Sequence, residues 1–296
     1  MPTLSRHALI GYPAGIITGV TYGLNPLFAV PLMRQGASIE AILFFRYGFA
    51  VVLLGAYLML RRESFALNLR QAATLLMLGV LYTTSSLTLF EAYHYIASGL
   101  ATTLVFLYPV IVAIIMVFQR VVPSWPVWLS IAATFAGVII MTQGGGGQEV
   151  NPVGVLLSIG SATAYSFFIV IINRSKAIAG IPGTLITFYS LLIGAIIFMS
   201  RTLTAGTALT AGIAGTISWL NLLGLAVFPT IISTATLAVA TRCIGATKAS
   251  VLGVFEPITA ILVGAMVFAE PLTPGIITGI TISIAAITFM IHATGR

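Results

Sequence analysis

Charged residues are scarce in this chain. They make up 6% of its 296 residues, whereas an ordinary soluble domain has roughly 25%. Six acidic and thirteen basic side chains cannot cover the surface of a water-soluble protein of this length. A larger apolar core does not account for the numbers, because single domains stop growing at about 250–300 residues. The scarcity of charge therefore excludes a cytosolic enzyme, a secreted domain and a disordered chain.

Cysteine and histidine are also rare. The single cysteine, Cys243, excludes an intramolecular disulfide and a cysteine-based metal site. The three histidines, His7, His94 and His292, do not have the spacing of metal ligands. The four-glycine run at 144–147 lacks the lysine and Ser/Thr of a phosphate-binding loop. We therefore expect no metal and no other cofactor.

Long apolar blocks take up most of the sequence. Hydrophobic residues make up 59% of the chain and the mean hydropathy is +1.11. The blocks are continuous, unlike the alternating strands of an outer-membrane barrel, and a spanning helix needs about 20 mostly apolar residues. The fold class predicted is an all-α polytopic membrane protein. Its ten predicted spans are 8–32, 38–60, 70–92, 97–119, 125–142, 152–172, 181–200, 212–240, 246–268 and 274–293.

The basic residues indicate how these spans are oriented. With a cytoplasmic N-terminus, the inside segments hold Arg6, Arg61, Arg62, Arg70, Arg120, Arg174, Lys176, Arg242, Lys248 and Arg296. The outside loops hold only Arg34 and Arg201. Because cytoplasmic loops are enriched in Lys and Arg, both termini are predicted to be cytoplasmic, in a cell inner (plasma) membrane. The net charge of +7 then needs no nucleic-acid partner.

The chain divides into two related halves. The first repeat is predicted at 1–143, an external linker at 144–151, and the second repeat at 152–296. With an offset of 148 residues, three prolines match: Pro109 with Pro257, Pro123 with Pro271, and Pro126 with Pro274. Because each repeat has an odd number of helices, five, the second repeat has the opposite orientation in the membrane. Inverted repeats of this kind are typical of secondary transporters, which bind substrate between the repeats near the midplane.

The sequence resembles a known family at these repeats. The stretches Phe255-Glu256-Pro257-Ile258-Thr259-Ala260 and Ala269-Glu270-Pro271-Leu272-Thr273 resemble the ninth helix and following turn of EamA-type proteins of the drug/metabolite transporter superfamily. Leu107-Tyr108-Pro109-Val110 is the first-half counterpart, and Phe44-Phe45-Arg46-Tyr47 resembles the arginine-bearing second helix. Within the family the chain is most similar to YddG-like bacterial amino-acid exporters. It departs at Gln119-Arg120-Val121-Val122, where the family usually has a glutamate.

The resemblance implies a central cavity bordered by the first, third, fourth, sixth, eighth and ninth helices. Small, hydroxyl and aromatic residues recur at three- and four-residue spacing on several of these helices, and so share one face. The predicted substrate-binding residues are Tyr22, Asn25, Gly79, Tyr82, Thr83, Ser86, Tyr108, Ser161, Tyr165, Phe168, Ser233 and Glu256. The predicted hinges are Pro26, Pro109, Pro229 and Pro257. The alternative is helix packing, since small and hydroxyl residues also mediate close contacts between membrane helices.

Two charged residues, Arg46 and Glu256, lie deep within predicted spans rather than near their ends. Glu256 is close to the bilayer centre, where an ionisable residue costs about 2.5–3.5 kcal/mol to insert. It is predicted to face a cavity, as a proton-sensitive or ammonium-facing group, or else to bond a neighbouring helix. Arg46 is predicted to extend to the outer surface or to pair with Glu40 or Glu91, in a structural role.

The sequence therefore predicts a secondary transporter that exports small neutral metabolites by alternating access, with aromatic and other neutral amino acids as the substrate class. The absence of a lysine or arginine cluster at mid-depth argues against phosphorylated substrates. The alternatives are a broad-specificity drug/metabolite exporter and a nucleotide-sugar-type antiporter. A membrane enzyme is disfavoured because no nucleophile–base set is found. The expected partners are the substrate, the lipid bilayer and, as a candidate coupling ion, the proton. A monomer is expected.

Overall fold

The computed structural model describes residues 6–96, 98–142, 151–206, 208–267 and 274–294, and no strand occurs among them. The helices of the first repeat are α1 (Arg6–Tyr22), α2 (Asn25–Arg34), α3 (Ile39–Leu60), α4 (Leu69–Ala92), α5 (Ser98–Val105), α6 (Tyr108–Phe118) and α7 (Trp125–Thr142). Those of the second repeat are α8 (Pro152–Arg174), α9 (Gly183–Ala205), α10 (Gly215–Ala226), α11 (Ser233–Ile244), α12 (Ala246–Val251), α13 (Phe255–Val267) and α14 (Pro274–Thr294). A π-helix at Val227–Ile232 joins α10 to α11, and a 3₁₀ turn at Leu252–Val254 joins α12 to α13.

Short polar side chains cap the starts of three helices, α3, α4 and α8. Asn68 caps α4 in a reciprocal bond with Gln71, at 2.9 Å in each direction. The Ser38 hydroxyl accepts from the backbone N–H of Ala41 at the start of α3, and Asn151 caps α8 in the same manner. These caps satisfy N–H groups that a helix end leaves without partners. Except for Asn151, the predicted linker at 144–151 lies outside the described residues.

Within the described ranges, seven helical stretches are long and apolar enough to cross a membrane: 7–34, 39–60, 69–92, 152–174, 183–204, 215–244 and 246–267. Tyr108–Phe118 and Ile277–Ala293 are shorter apolar helices. Helix lies at each predicted position, and the number of crossings stays a prediction. Large apolar side chains such as Leu60, Phe118 and Met266 are exposed, whereas Ser161 and Ser233 are fully buried. Exposed large apolar side chains, with polar side chains buried in the interior, suit a lipid environment.

Helix breaks coincide with the four prolines predicted as hinges. Pro26 follows a break at 23–24, and Pro109 follows one at 106–107. Pro229 lies within the π-helix and Pro257 directly after the 3₁₀ turn. Proline has no N–H to donate, so each of these positions leaves a carbonyl of the preceding turn without its helical bond. Flexing at these breaks remains a prediction.

The two repeats pack closely along one face of α1. This face carries Gly11, Gly15 and Gly19, and Gly23 continues the four-residue spacing just after the end of α1. A Cβ on Gly19 would lie 2.8 Å from the Cβ of Phe255, and one on Gly23 would lie 2.5 Å from the carbonyl oxygen of Glu256. Only glycine permits such an approach of two helices. The stripe therefore brings the end of α1, with Tyr22, next to the start of α13, with Glu256.

Candidate functional site

Aromatic side chains from five helices meet in the interior. This aromatic cluster consists of Tyr22 in α1, Tyr47 in α3, Tyr82 in α4, Tyr108 in α6, and Tyr165 and Phe168 in α8. Each of the six is at most 6% exposed. Five were predicted from the sequence as substrate-binding residues, and the structure brings those five together. Tyr47 was not predicted.

Tyr82 and Tyr165 hold the aromatic cluster together. The Tyr82 ring centroid lies 5.7 Å from that of Tyr47 and 5.0 Å from that of Phe168. The Tyr165 centroid lies 6.1 Å from Tyr22 and 5.1 Å from Tyr108. These separations are those of favourable aromatic pairs. The cluster therefore links helices of the first repeat to α8 of the second.

Arg46 lies fully buried beside this cluster. Its Nε donates to the Thr230 hydroxyl at 2.6 Å, and its Nη2 donates to the Pro229 carbonyl at 3.2 Å. Its Cζ is 5.8 Å from the ring centroids of both Tyr22 and Tyr47, which is within cation–π range. Its third nitrogen, Nη1, has no hydrogen-bond partner among the described residues.

The surroundings predicted for Arg46 were wrong, whereas its predicted structural role stays a prediction. The buried side chain does not reach the outer surface, and among the described residues it pairs neither with Glu40, which bonds Arg201 at 3.2 Å, nor with Glu91. The π-helix of the second repeat offers a hydroxyl and a carbonyl in the buried interior, so the guanidinium is bound inward. A Pro-Thr pair within an apolar span was the available signal, since such a pair disrupts regular helix bonding.

Glu256 is the acidic group of the site. It is 7% exposed, in the first turn of α13, where the helix dipole favours a carboxylate. It interacts electrostatically with Arg46 and with Tyr22, Tyr82 and Tyr108. Within the described ranges it forms neither an ion pair nor a hydrogen bond. A buried acid and a buried base therefore lie in one region without pairing.

Several buried polar atoms near these groups also lack partners. They include the Asn25 Oδ1, the Tyr82 hydroxyl and the Ser233 hydroxyl, as judged against the part of the chain that the structure describes. The Tyr82 hydroxyl lies beside the Tyr22 hydroxyl and the Arg46 guanidinium, but without hydrogen-bond geometry. Buried polar groups are normally bonded, so orphaned ones call for a bound molecule or water. All three residues were predicted from sequence.

The remaining predicted residues contact neighbouring helices. A Cβ on Gly79 would lie 2.6 Å from the Cβ of Ile193, so Gly79 packs α4 against α9. A Cβ on Gly194 in α9 would lie 2.6 Å from the Thr83 hydroxyl. These positions fit the packing alternative that the sequence left open.

Ser86 and Ser161 also lie in helix interfaces. The Ser86 hydroxyl shares a 2.6 Å hydrogen bond with the Tyr47 hydroxyl, and so orients one ring of the aromatic cluster. The Ser161 hydroxyl donates to the Ser85 carbonyl at 2.8 Å, which joins α8 to α4. Both serines support the site from outside it.

The chemistry available here is recognition. No group of three or more His, Cys, Asp or Glu side chains suited to a metal ion occurs in the described residues. What the site offers is one cation, one carboxylate, tyrosine hydroxyls and apolar ring faces. Groups of these kinds can form charge-assisted hydrogen bonds and cation–π or apolar contacts.

The fold and the sequence both match known proteins. None of the curated proteins compared matches the chain, whereas 29 chains of solved structures do. One of these, described only as a crystal structure of a protein, superposes with a TM-score of 0.78 at 16% identity, covering 97% of this chain and 99% of that one. At this identity the likeness shows the fold alone.

The sequence itself, apart from the fold, matches the model of one protein family. The model of the EamA-like transporter family matches residues 9–143 and again residues 152–292. The two matches fall on the two repeats and together take in most of the chain. The chain therefore belongs to the EamA-like transporter family, and is a multi-pass membrane transporter of the drug/metabolite superfamily.

Proposed function

We propose that this transporter exports small neutral metabolites, with aromatic and other neutral amino acids as its substrate class, as in YddG-like exporters. The observation that carries the proposal is the buried pair Arg46 and Glu256, which lie beside one aromatic cluster without bonding each other. An amino-acid zwitterion brings a carboxylate and an ammonium, one for each of these groups. Its side chain packs on the rings.

The charge balance favours a neutral substrate. With Glu256 ionised, one buried arginine and one buried glutamate sum to no net charge, so a zwitterion leaves the site neutral. A phosphorylated sugar or a nucleotide-sugar carries surplus negative charge, which calls for several fixed cations. Arg46 is the one cation in contact with the aromatic cluster among the described residues. This argues against the nucleotide-sugar-type antiporter.

Alternating access is the transport mechanism we propose. The site residues come from both repeats, since Arg46 and Tyr82 lie in the first while Tyr165 and Glu256 lie in the second. Helices broken at Pro26 and Pro109 in one repeat and at Pro229 and Pro257 in the other border the site. Relative movement of the two repeats about a midplane site exposes it to each side in turn. Ten crossings, with both termini in the cytoplasm of an inner membrane, complete the proposal.

Counterflow in proteoliposomes tests the substrate class. Vesicles are loaded with an unlabelled amino acid, and trace labelled phenylalanine or leucine is added outside. We expect the label to accumulate transiently in vesicles that contain the protein and not in protein-free vesicles processed in parallel. Labelled uridine, glucose and tetraphenylphosphonium provide the comparison substrates. Accumulation of any of these with none of the amino acids would overturn the proposal, and accumulation of the organic cation would favour a broad-specificity exporter.

A further inference from the structure

We infer that Arg46 binds the carboxylate of the substrate and that Thr230 is the positioning residue that aims it. The inference rests on the proposed function and deepens it, because it makes a carboxylate a requirement for transport. An amine of the same shape without the carboxylate is then a poor substrate. The assignment follows from which donors of Arg46 are occupied and which are not.

The bonds of Arg46 leave one end of its guanidinium free. The group has five N–H donors in a planar fork. Nε bonds the Thr230 hydroxyl and Nη2 bonds the Pro229 carbonyl. Nη1 has no partner in the described residues, although the side chain is fully buried. The free Nη1 and the second N–H of Nη2 are the donors of the fork that can bind a carboxylate with two parallel bonds.

A buried guanidinium without a counter-ion is costly, so this arrangement calls for an anion. Glu256 does not fill that place, because the described residues include no ion pair between the two. The hydroxyl of Tyr82 lies beside the guanidinium and has no partner itself. A tyrosine hydroxyl at this place can donate to the same carboxylate. Two orphaned polar groups on different helices, α3 and α4, therefore point to one missing anionic ligand.

The widened turn of the π-helix fixes the direction of Arg46. The Thr230 hydroxyl donates its proton to the Leu225 carbonyl at 2.7 Å. A hydroxyl has one proton and two lone pairs, so the oxygen of Thr230 is left as an acceptor aimed at Nε of Arg46. Pro229 has no N–H, so its backbone cannot donate to the Leu225 carbonyl or to the Thr230 oxygen in place of these bonds. The bonds of Nε and Nη2 therefore fix one side of the guanidinium, and Nη1 on its other side is left for the site.

The bonds of Arg46 to Thr230 and Pro229 join the two repeats. Arg46 belongs to the first repeat, and Pro229 and Thr230 belong to the second. A substrate carboxylate on Nη1 therefore contacts the residue that spans the moving interface. A purely structural Arg46, which only fastens α3 to the π-helix, is the competing explanation. It predicts no dependence of transport on the carboxylate.

Competition against labelled phenylalanine counterflow distinguishes these explanations. The competitors are unlabelled phenylalanine and phenethylamine, which lacks only the carboxylate. For the wild-type protein we expect phenethylamine to be at least about tenfold weaker, the loss expected when a charged hydrogen-bonded pair is removed. In Thr230→Val, which keeps the shape but not the hydroxyl, we expect this preference to fall severalfold. Thr230→Ser should restore it.

Thr234→Val is the matched control. Thr234 is one helical turn further along the chain, is also buried, and bonds only the Thr230 carbonyl, at 2.5 Å. It should keep the wild-type preference for phenylalanine. Size-exclusion profiles of all three variants report whether each is folded, so a loss of yield is not mistaken for a loss of selectivity.

Failure of this inference differs from failure of the proposed function. If wild-type protein moves no amino acid, the proposed function is wrong. If it moves phenylalanine but phenethylamine competes equally well, Arg46 does not bind a carboxylate. If folded Thr230→Val keeps the full wild-type preference, Thr230 does not position Arg46. Thr230 is likewise excluded as the positioning residue if Thr234→Val changes the preference as much as Thr230→Val does.

Discussion

The phenol of Tyr108 lies against the bare Cα of Gly253, in the space that any side chain on Gly253 would need. Tyr108 begins α6 in the first repeat, and Gly253 lies in the 3₁₀ turn between α12 and α13 in the second. The two broken helices of the matching proline motifs therefore meet through this pair. The position of one ring of the aromatic cluster depends on a missing side chain in the other repeat.

We expect Gly253→Ala to destabilise the protein. The added methyl overlaps the Tyr108 phenol, and overpacking of a buried contact costs about 1–3 kcal/mol. Thermal unfolding in detergent should show a lower Tm, and counterflow should slow because the ring is displaced. The control is Gly160→Ala in α8, where a Cβ meets nothing within 4 Å. That change should be neutral or slightly stabilising.

The partner change should relieve the clash. Tyr108→Ala alone leaves a cavity, but in the Gly253→Ala background it also removes the overlap. The Tm of the double variant should therefore fall by less than the sum of the Tm losses of the two single variants. Strict additivity of the three Tm shifts would show that the two residues do not interact as the structure has them.

Tyr82→Phe should separate stability from binding. The Tyr82 hydroxyl is buried without a partner in the described part of the chain. Since an unsatisfied buried hydroxyl carries a desolvation cost, its removal should leave Tm unchanged or raise it. If this hydroxyl bonds the substrate, KM for counterflow should rise by roughly two- to tenfold, the value of one hydrogen bond. An unchanged KM and substrate profile would remove Tyr82 from the binding site.

Tyr47→Phe is the matched control for that result. Tyr47 is in the same cluster and equally buried, but its hydroxyl shares a hydrogen bond with Ser86. Removing it orphans the Ser86 hydroxyl and should lower stability by about 1–3 kcal/mol. The two phenylalanine variants should thus move Tm and KM differently. If Tyr82→Phe and Tyr47→Phe change Tm and KM in the same way, neither hydroxyl contacts the substrate.

The sequence predicted those parts of the site that depend on local chemistry. Proline removes a backbone donor, which favoured helix breaks at Pro26, Pro109, Pro229 and Pro257, although Pro13 and Pro31 lie inside α1 and α2 without a break. Residues three or four apart share a helix face, which brought Tyr22 and Asn25 into one group.

The missed parts depend on distant partners. Arg46 bonds a residue 184 positions away, and one sequence does not show which helix lies opposite. Gly11, Gly15, Gly19 and Gly23 have the four-residue spacing that is typical of a close-packing stripe. The sequence does not show that this stripe faces Glu256.

Glu256→Gln should change the pH dependence of transport. Glutamine keeps the size of the side chain and cannot ionise. The titratable groups that interact electrostatically with Glu256 are Arg46 from α3, Tyr22 from α1, Tyr82 from α4, Tyr93 just after α4, Tyr108 from α6 and Tyr165 from α8. Because Glu256 forms no ion pair with any of them, protonation alters the charge offered to the substrate. We expect wild-type counterflow in liposomes to vary with pH and the variant to vary less.

A matched control uses an exposed acid. Glu63 lies at the surface between α3 and α4, and Glu63→Gln should retain the wild-type profile. If Glu256→Gln has the rate and pH profile of wild-type protein, the carboxylate has a structural role and coupling to protons through it is excluded.

Single-cysteine labelling tests the orientation. The Tyr189 hydroxyl in α9 donates to the Phe65 carbonyl beyond the end of α3, and Arg201 near the end of α9 bonds Glu40 near the start of α3. The two helices are therefore antiparallel, and the exposed residues Ser64 and Thr204 lie at opposite ends of the pair. In a Cys243→Ala background, one cysteine is placed at either position. An impermeant maleimide added to intact spheroplasts should label Thr204→Cys at once and Ser64→Cys only after permeabilisation, because Arg61 and Arg62 next to Ser64 favour the cytoplasm. The reverse pattern would invert the proposed topology, and labelling of both from outside would contradict the two crossings.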